Sequence, residues 1–264
     1  MYCSQGTIVH KASIAPAWWQ IVINAPTLAK NLTPGQFLML RCGNQSVCYL
    51  RRPIFPQHLS DDTFCVMLLP SPDPGLSWLL TQQIGGTLDL IGPLGNGFNL
   101  PNSVSNLLLV SDDQTIAPLL GLVDIAITRN INVTLALGAS RANTLYPATT
   151  LPPAVEFQAA TLDGSAGHHG PITDLLPDLL GWADVVCATG STNLLQTLKN
   201  KTSAVRLGLQ PDFLFGLMLT PTIACGTGAC FSCGVQTEVG IKLTCTNGPV
   251  FDLAHFNPDG VPYD

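Results

Sequence analysis

The chain is short of charge. Only 11% of its 264 residues are Asp, Glu, Lys or Arg, while 46% are hydrophobic, a charge content less than half the globular average. A surface so poor in charge predicts that part of it is covered in a lasting complex. Basic clusters are missing too: 11 Lys and Arg stand against 17 Asp and Glu, a net charge of −6. That excludes nucleic acid as a partner, because neutralising phosphates needs basic side chains. No uninterrupted apolar run reaches the ~18–20 residues of a membrane span; the nearest, from Leu107 to Ile127, is broken by Asp112 and Asp113. The start, Met1-Tyr2-Cys3-Ser4-Gln5, has neither the basic residues nor the apolar stretch of a secretion signal. These absences predict a cytoplasmic protein whose nine cysteines stay reduced.

What the chain does have is a cysteine pattern. Cys225, Cys230 and Cys233 are spaced C-x4-C-x2-C, and Cys245 follows after 11 residues. This is the ligand spacing of a plant-type [2Fe-2S] cluster, in which four thiolates hold two irons. Gly226 and Gly228 let the backbone between the cysteines turn left-handed and bring its N–H groups close to the sulfurs. A structural zinc site, a disulfide pair and buried thiols are the competing readings, although zinc sites usually pair C-x2-4-C knuckles. Cys3, Cys42, Cys48, Cys65 and Cys187 read as structural or buried thiols.

From Gly6 to about Gly97, short β-branched and aromatic runs alternate with Pro, Gly, Asn and Asp. Strands are expected from Val9 to Ile23, Gln36 to Arg41, Phe64 to Leu69 and Thr87 to Ile91, which predicts a small antiparallel β-barrel. Arg52, at a strand end beside Pro53, has the chemistry to hold a cofactor phosphate, and Gly92 to Phe98 reads as a tight closing loop. After Asn106 the period changes. Strands at Leu107–Val110, Val133–Leu137, Val155–Thr161, Val185–Ala188 and Val205–Leu209 alternate with helices at Ile116–Thr128 and Asn193–Lys199, the pattern of a doubly wound parallel sheet. His168 and His169 fall in a loop and read as solvated. The expected class is therefore a multidomain α+β protein: a barrel over 1–103, an α/β domain over 104–213 and a cluster module over 214–264.

Arg52-Pro53-Ile54, the Gly92–Phe98 loop, Ala117-Pro118-Leu119-Leu120 and the four-cysteine tail with Asn247-Gly248-Pro249-Val250-Phe251 together resemble one family. It is the electron-transfer subunit of the two-subunit dihydroorotate dehydrogenases, a branch of the ferredoxin–NADP reductase superfamily. The resemblance implies FAD on the barrel, NADH at the α/β domain, and a [2Fe-2S] cluster serving an FMN-containing catalytic flavoprotein in a hetero-oligomer of pyrimidine biosynthesis. By the family's motifs, FAD would meet Arg52, Pro53, Ile54 and Phe55, then Leu68, Leu69 and Pro70 with Gly75 and Leu76.

Three departures qualify that expectation. Phe55 and Leu76 stand where the family has hydroxyl side chains, which weakens FAD by about 0.5–1.5 kcal/mol per lost hydrogen bond. Ser111-Asp112-Asp113-Gln114-Thr115 replaces the glycine-rich turn that lets a dinucleotide pyrophosphate approach the backbone. Ala188-Thr189-Gly190-Ser191 alters a second signature before a helix. The sequence thus predicts a flavin-to-cluster relay whose nicotinamide site is degenerate. The rivals are an NADH-dependent reductase for another acceptor and a non-enzymatic subunit that only holds the cluster.

Overall fold

The computed structural model describes residues 1–43, 48–112, 115–206, 208, 211–218, 223–237 and 240–255. The first part of the chain forms a seven-stranded antiparallel sheet. A hairpin of β1 (Tyr2–Ser13) and β2 (Trp19–Asn24) leads through the short helix α1 (Pro26–Ala29) to β3 (Phe37–Leu40) and β4 (Arg52–Ile54). Strands β5 (Gln57–His58) and β6 (Thr63–Leu68), helix α2 (Pro74–Thr81) and strand β7 (Thr87–Leu94) complete it. The order β4-β3-β7-β1-β2-β6-β5 puts β4 and β5 at opposite edges. Only Phe55 and Pro56 separate them in sequence, so the sheet curls until its edges nearly meet. Where the sequence suggests one strand-rich stretch from Val9, the structure has a full hairpin that starts at Tyr2.

Alternation explains why several of these strands are buried on both faces. In β3, Leu38 and Leu40 point into the barrel with Ile21, Phe64 and Leu88. Phe37 and Met39 point outward, yet they are buried with Cys233, Cys245 and Ile223. In β6, Phe64, Val66 and Leu68 fill the barrel, whereas Cys65 and Met67 pack against the second domain.

That domain is a second seven-stranded sheet. Its elements are β8 (Asn106–Ser111), α3 (Ala117–Thr128), β9 (Asn132–Ala139), β10 (Val155–Thr161), β11 (His168–His169), α4 (Leu176–Trp182), β12 (Val185–Gly190), α5 (Thr192–Val205) and β13 (Leu214–Met218). The cysteine segment then forms the hairpin β14 (Gly234–Thr237) and β15 (Gly240–Leu243) before β16 (Val250–Asp252) rejoins the sheet. The order β11-β10-β9-β8-β12-β13-β16 is parallel except for β16, and its direction of winding reverses between β8 and β12. In β8, Leu107 and Leu109 face α3 and the barrel side, while Leu108 and Val110 face the α4 and α5 side.

The described residues of the expected strand at Val205–Leu209 do not form one. Val205 is the last residue of α5, residues 207 and 209 lie outside the described residues, and the strand is instead Leu214–Met218. Leu194, Leu195, Leu198 and Thr202 carry a buried helical stripe past Lys199, so the helical period outlasts the β-branched residues that suggested a strand. The stretch from 214 onward both carries the cysteines and lends β13 and β16 to the sheet.

Candidate metal centre and ligand cavities

None of the nine cysteines is in a disulfide. Cys233 and Cys245 are buried, Cys225 is half-buried and Cys230 is exposed. The thiols of Cys225 and Cys230 interact, as do those of Cys233 and Cys245, and Cys225 lies near enough to Cys245 to act on it electrostatically. Among the described residues no three His, Cys, Asp or Glu side chains converge to hold a single metal ion. Two pairs suit two irons, each taking two protein sulfurs, better than one tetrahedral zinc.

The loop supplies the donors that thiolates need. The Thr227 N–H donates to Cys225 Sγ at 3.4 Å, and backbone N–H groups of Cys230 and Gly228 reach Cys225 and Cys245 respectively. Burial works against charge on Cys225, but the Thr227 and Cys230 donors outweigh it and bring the thiol down to about 6. Burial, reinforced by Cys233, pushes Cys245 up to about 12. Gly226 and Gly228 take φ of +73° and +81°. A side chain on Gly226 would lie 2.8 Å from Met39 Cγ, so the cysteine loop can rest on β3 only because this residue has no Cβ.

The Gly92–Phe98 loop does more than close the barrel. Asn96 N–H donates to the Gly248 carbonyl at 2.6 Å, and Asn96 Nδ2 donates to the Asn247 carbonyl at 2.9 Å. A Cβ on Gly95 would sit 2.5 Å from Pro249 Cδ. This loop therefore docks the turn just after Cys245 and fixes the cysteine segment against the barrel.

A cavity of about 170 Å³ opens between the barrel and the α/β domain. Pro53, Ile54, Phe55, Leu68, Leu69 and Leu76 wall it from the barrel, and Thr115 and Ala117 close it from the sheet. Of the residues expected at a flavin, Arg52, Pro70 and Gly75 are not among its walls. Arg52 Nε donates to Asp73 Oδ2 at 2.7 Å and its Nη1 to the Leu50 carbonyl at 2.9 Å. Phe55 has a double position. It walls the cavity and also packs on the core that contains Cys233 and Cys245, with its ring centroid 5.9 Å from that of Phe37. Sequence alone marks Phe55 only as a lost hydroxyl; its place between cavity and cysteines is a property of the fold.

At the reversal point of the second sheet, where an open α/β sheet receives its ligand, a carboxylate of the chain is already seated. Ser191 donates to Asp112 through its N–H at 2.9 Å and its hydroxyl at 2.5 Å. Gly190 takes φ of +147°, and Asp112 Oδ1 fills the place of its absent Cβ. Asp112 and Asp113 precede α3, and aspartate is a residue type that caps helix starts. Asp112 instead reaches across to the start of α5, α3 has no side-chain cap among the described residues, and Asp113 lies outside them. The reason is topological: β8 and β12 are hydrogen-bonded neighbours, so the end of β8 lies beside the start of α5. His168 Nε2 lies 3.3 Å from Asp174 Oδ2, a partly exposed pair that no third metal-ligating side chain joins among the described residues.

Residues 220–256 match the family model described as the iron–sulfur cluster binding domain of dihydroorotate dehydrogenase B. The chain is 30% identical over 248 residues to "Dihydroorotate dehydrogenase B (NAD(+)), electron transfer subunit" of Desulforamulus reducens, covering 90% of this chain and 92% of that protein. The like-named subunit of a Geobacillus species is 28% identical over 253 residues, covering 94% and 95%. Among solved structures, the NADH-dependent reduced ferredoxin–NADP oxidoreductase superposes with a TM-score of 0.81 at 25% identity, over 96% of this chain and 90% of that one. A ferredoxin NADP+ reductase from Neisseria gonorrhoeae gives 0.63 at 16% identity, over 78% and 92%. With barrel, doubly wound sheet and cysteine segment in one order along nearly its whole length, the chain belongs to the dihydroorotate dehydrogenase B electron-transfer subunits.

Proposed function

We propose that this chain is the electron relay of a dihydroorotate dehydrogenase B-type complex. Cys225, Cys230, Cys233 and Cys245 hold a [2Fe-2S] cluster, and the cavity between barrel and sheet takes the ring of FAD. Pro53, Ile54, Phe55, Leu68, Leu69 and Leu76 bind that ring, with Arg52, Pro70 and Gly75 beside it. When bound, a flavin interconverts paired and single electrons, and the cluster carries single ones. The single observation behind this reading is the position of Phe55, which walls the flavin cavity on one side and on the other packs, against Phe37, on the core that contains Cys233 and Cys245.

The chain's own residues keep the path short and dry. Phe37, Met39 and Leu94 seal Cys233 and Cys245 from solvent, while Cys230 faces out beside Phe231, which is 69% exposed, and near Ile241, 70% exposed. Such an apolar edge beside an exposed ligand suits a protein partner, the FMN-containing catalytic flavoprotein, in a cytoplasmic hetero-oligomer. The working units are 1–103 for FAD, 104–213 for the degenerate nicotinamide domain and 214–264 for the cluster. Asp112 supports the degeneracy, since a carboxylate from the end of β8 held at the start of α5 repels the pyrophosphate that a dinucleotide brings there.

The test is to co-express the chain with a catalytic subunit of dihydroorotate dehydrogenase B and add dihydroorotate anaerobically. The expected result is co-purification and bleaching of the visible absorbance of this chain's flavin and cluster. Failure to associate, or a spectrum untouched by dihydroorotate, contradicts the reading.

A further inference from the structure

A second carboxylate, Asp73, is hydrogen-bonded to Leu76, one of the walls of the flavin cavity. Asp73 is the N-cap of α2 and accepts from the Gly75 N–H at 2.8 Å and the Leu76 N–H at 3.0 Å with one oxygen. Its other oxygen accepts from Arg52 Nε at 2.7 Å. Arg52 and the first N–H groups of α2 are the cationic and dipolar groups that this side of the barrel offers to a phosphate. Asp73 engages the Gly75 and Leu76 N–H groups and Nε of Arg52, while Nη1 of Arg52 is spent on the Leu50 carbonyl. Leu76 ties the two features together: its N–H is bound to Asp73 and its side chain walls the ring cavity. The arrangement is tight, because Gly75 has room only for a hydrogen where a Cβ would meet Arg52 Cγ at 2.6 Å and Asp73 Oδ1 at 3.1 Å. Burial disfavours charge on Asp73, yet the Leu76 N–H and the Arg52 guanidinium hold its carboxyl below the usual range, so it is a full anion at neutral pH.

We infer that Asp73 is a built-in competitor for the phosphates of the flavin: it occupies Arg52 and the start of α2, and so lowers the site's preference for FAD over flavins without a pyrophosphate. The inference rests on the flavin reading given above. A pyrophosphate entering beside Leu76 must displace the carboxylate from Arg52 Nε and the α2 N–H groups, or meet an arginine already neutralised by its ion pair. The apolar walls from Ile54 to Leu76 hold the ring in either case, so ring binding and phosphate binding are separable in this site.

The experiment titrates the full chain, freed of flavin, with FAD, FMN and riboflavin by quenching of flavin fluorescence, for the unaltered protein, Asp73→Ser and Asp73→Asn. Serine keeps a cap acceptor for α2 without the charge. Asparagine nearly keeps the shape, so one of the two remains folded if the other does not. The unaltered chain should bind the three flavins within about threefold of one another, and the variants should raise FAD affinity by roughly tenfold or more with riboflavin unchanged. An FAD-to-riboflavin ratio that is large in the unaltered chain, or that stays the same in both variants, overturns the inference while leaving the flavin reading standing. Binding of no flavin by any of the three proteins overturns both.

Discussion

Replacing Asp112 by glycine should give the α/β domain an affinity for dinucleotides. The carboxylate receives two hydrogen bonds from Ser191, at 2.9 and 2.5 Å, and fills the space beside Gly190. Two unit charges about 4 Å apart repel by about 4 kcal/mol at the effective dielectric of a protein surface. Asp112 is only partly buried, so screening leaves about 1.5–3 kcal/mol, or ten- to a hundredfold in affinity. The loss of two hydrogen bonds costs about 1–2 kcal/mol of stability. The fold should survive, because Ser191 Oγ still caps α5 by accepting from the Leu194 N–H at 3.1 Å. Titration calorimetry with NADH and with ADP-ribose reads the effect, and a thermal melt controls for folding. The expected outcome is no measurable binding to the unaltered chain and binding of both ligands by Asp112→Gly. Tight NADH binding by the unaltered chain, or no gain in a folded variant, would refute the argument that this carboxylate stands in the pyrophosphate's place.

Other predictions concern the cluster and its support. Cys233→Ser and Cys245→Ser should each abolish the visible absorbance of a bound cluster, whereas Cys3→Ser, at an exposed strand end, should leave the spectrum unchanged. Gly95→Ala should lower the melting temperature and make the cluster labile. Gly95 has a φ of +72° and a Cβ there meets Pro249 Cδ at 2.5 Å and the Gly248 carbonyl at 2.7 Å. Left-handed strain and overpacking together cost about 2–4 kcal/mol, and the damage falls on the contact that docks the cysteine segment.

Much of this was legible because the relevant signals are local. Cysteine spacing is one-dimensional, and so is the hydrophobic period that separates the barrel strands from β8 to α5. Val155–Thr161 falls where the sequence puts it, because a buried parallel strand bounded by Pro153 and Asp163-Gly164 has no competing period. What could not be read depends on residues distant in sequence. Asp112 looks like the cap of its own helix until β12 is placed beside β8. Asp73 carries no signal in the sequence, and its role appears only when β4 brings Arg52 to it. Phe55 gains its meaning from two surfaces, the cavity and the cysteine core, which meet only when the sheet curls.

The most direct test of the account is a count of iron and acid-labile sulfide in the anaerobically purified chain, read beside its visible spectrum and that of Cys233→Ser. The account predicts about two irons and two sulfides per chain, with a coloured spectrum that the substitution removes. Zinc without sulfide, or colourless protein with all four thiols free, would contradict it.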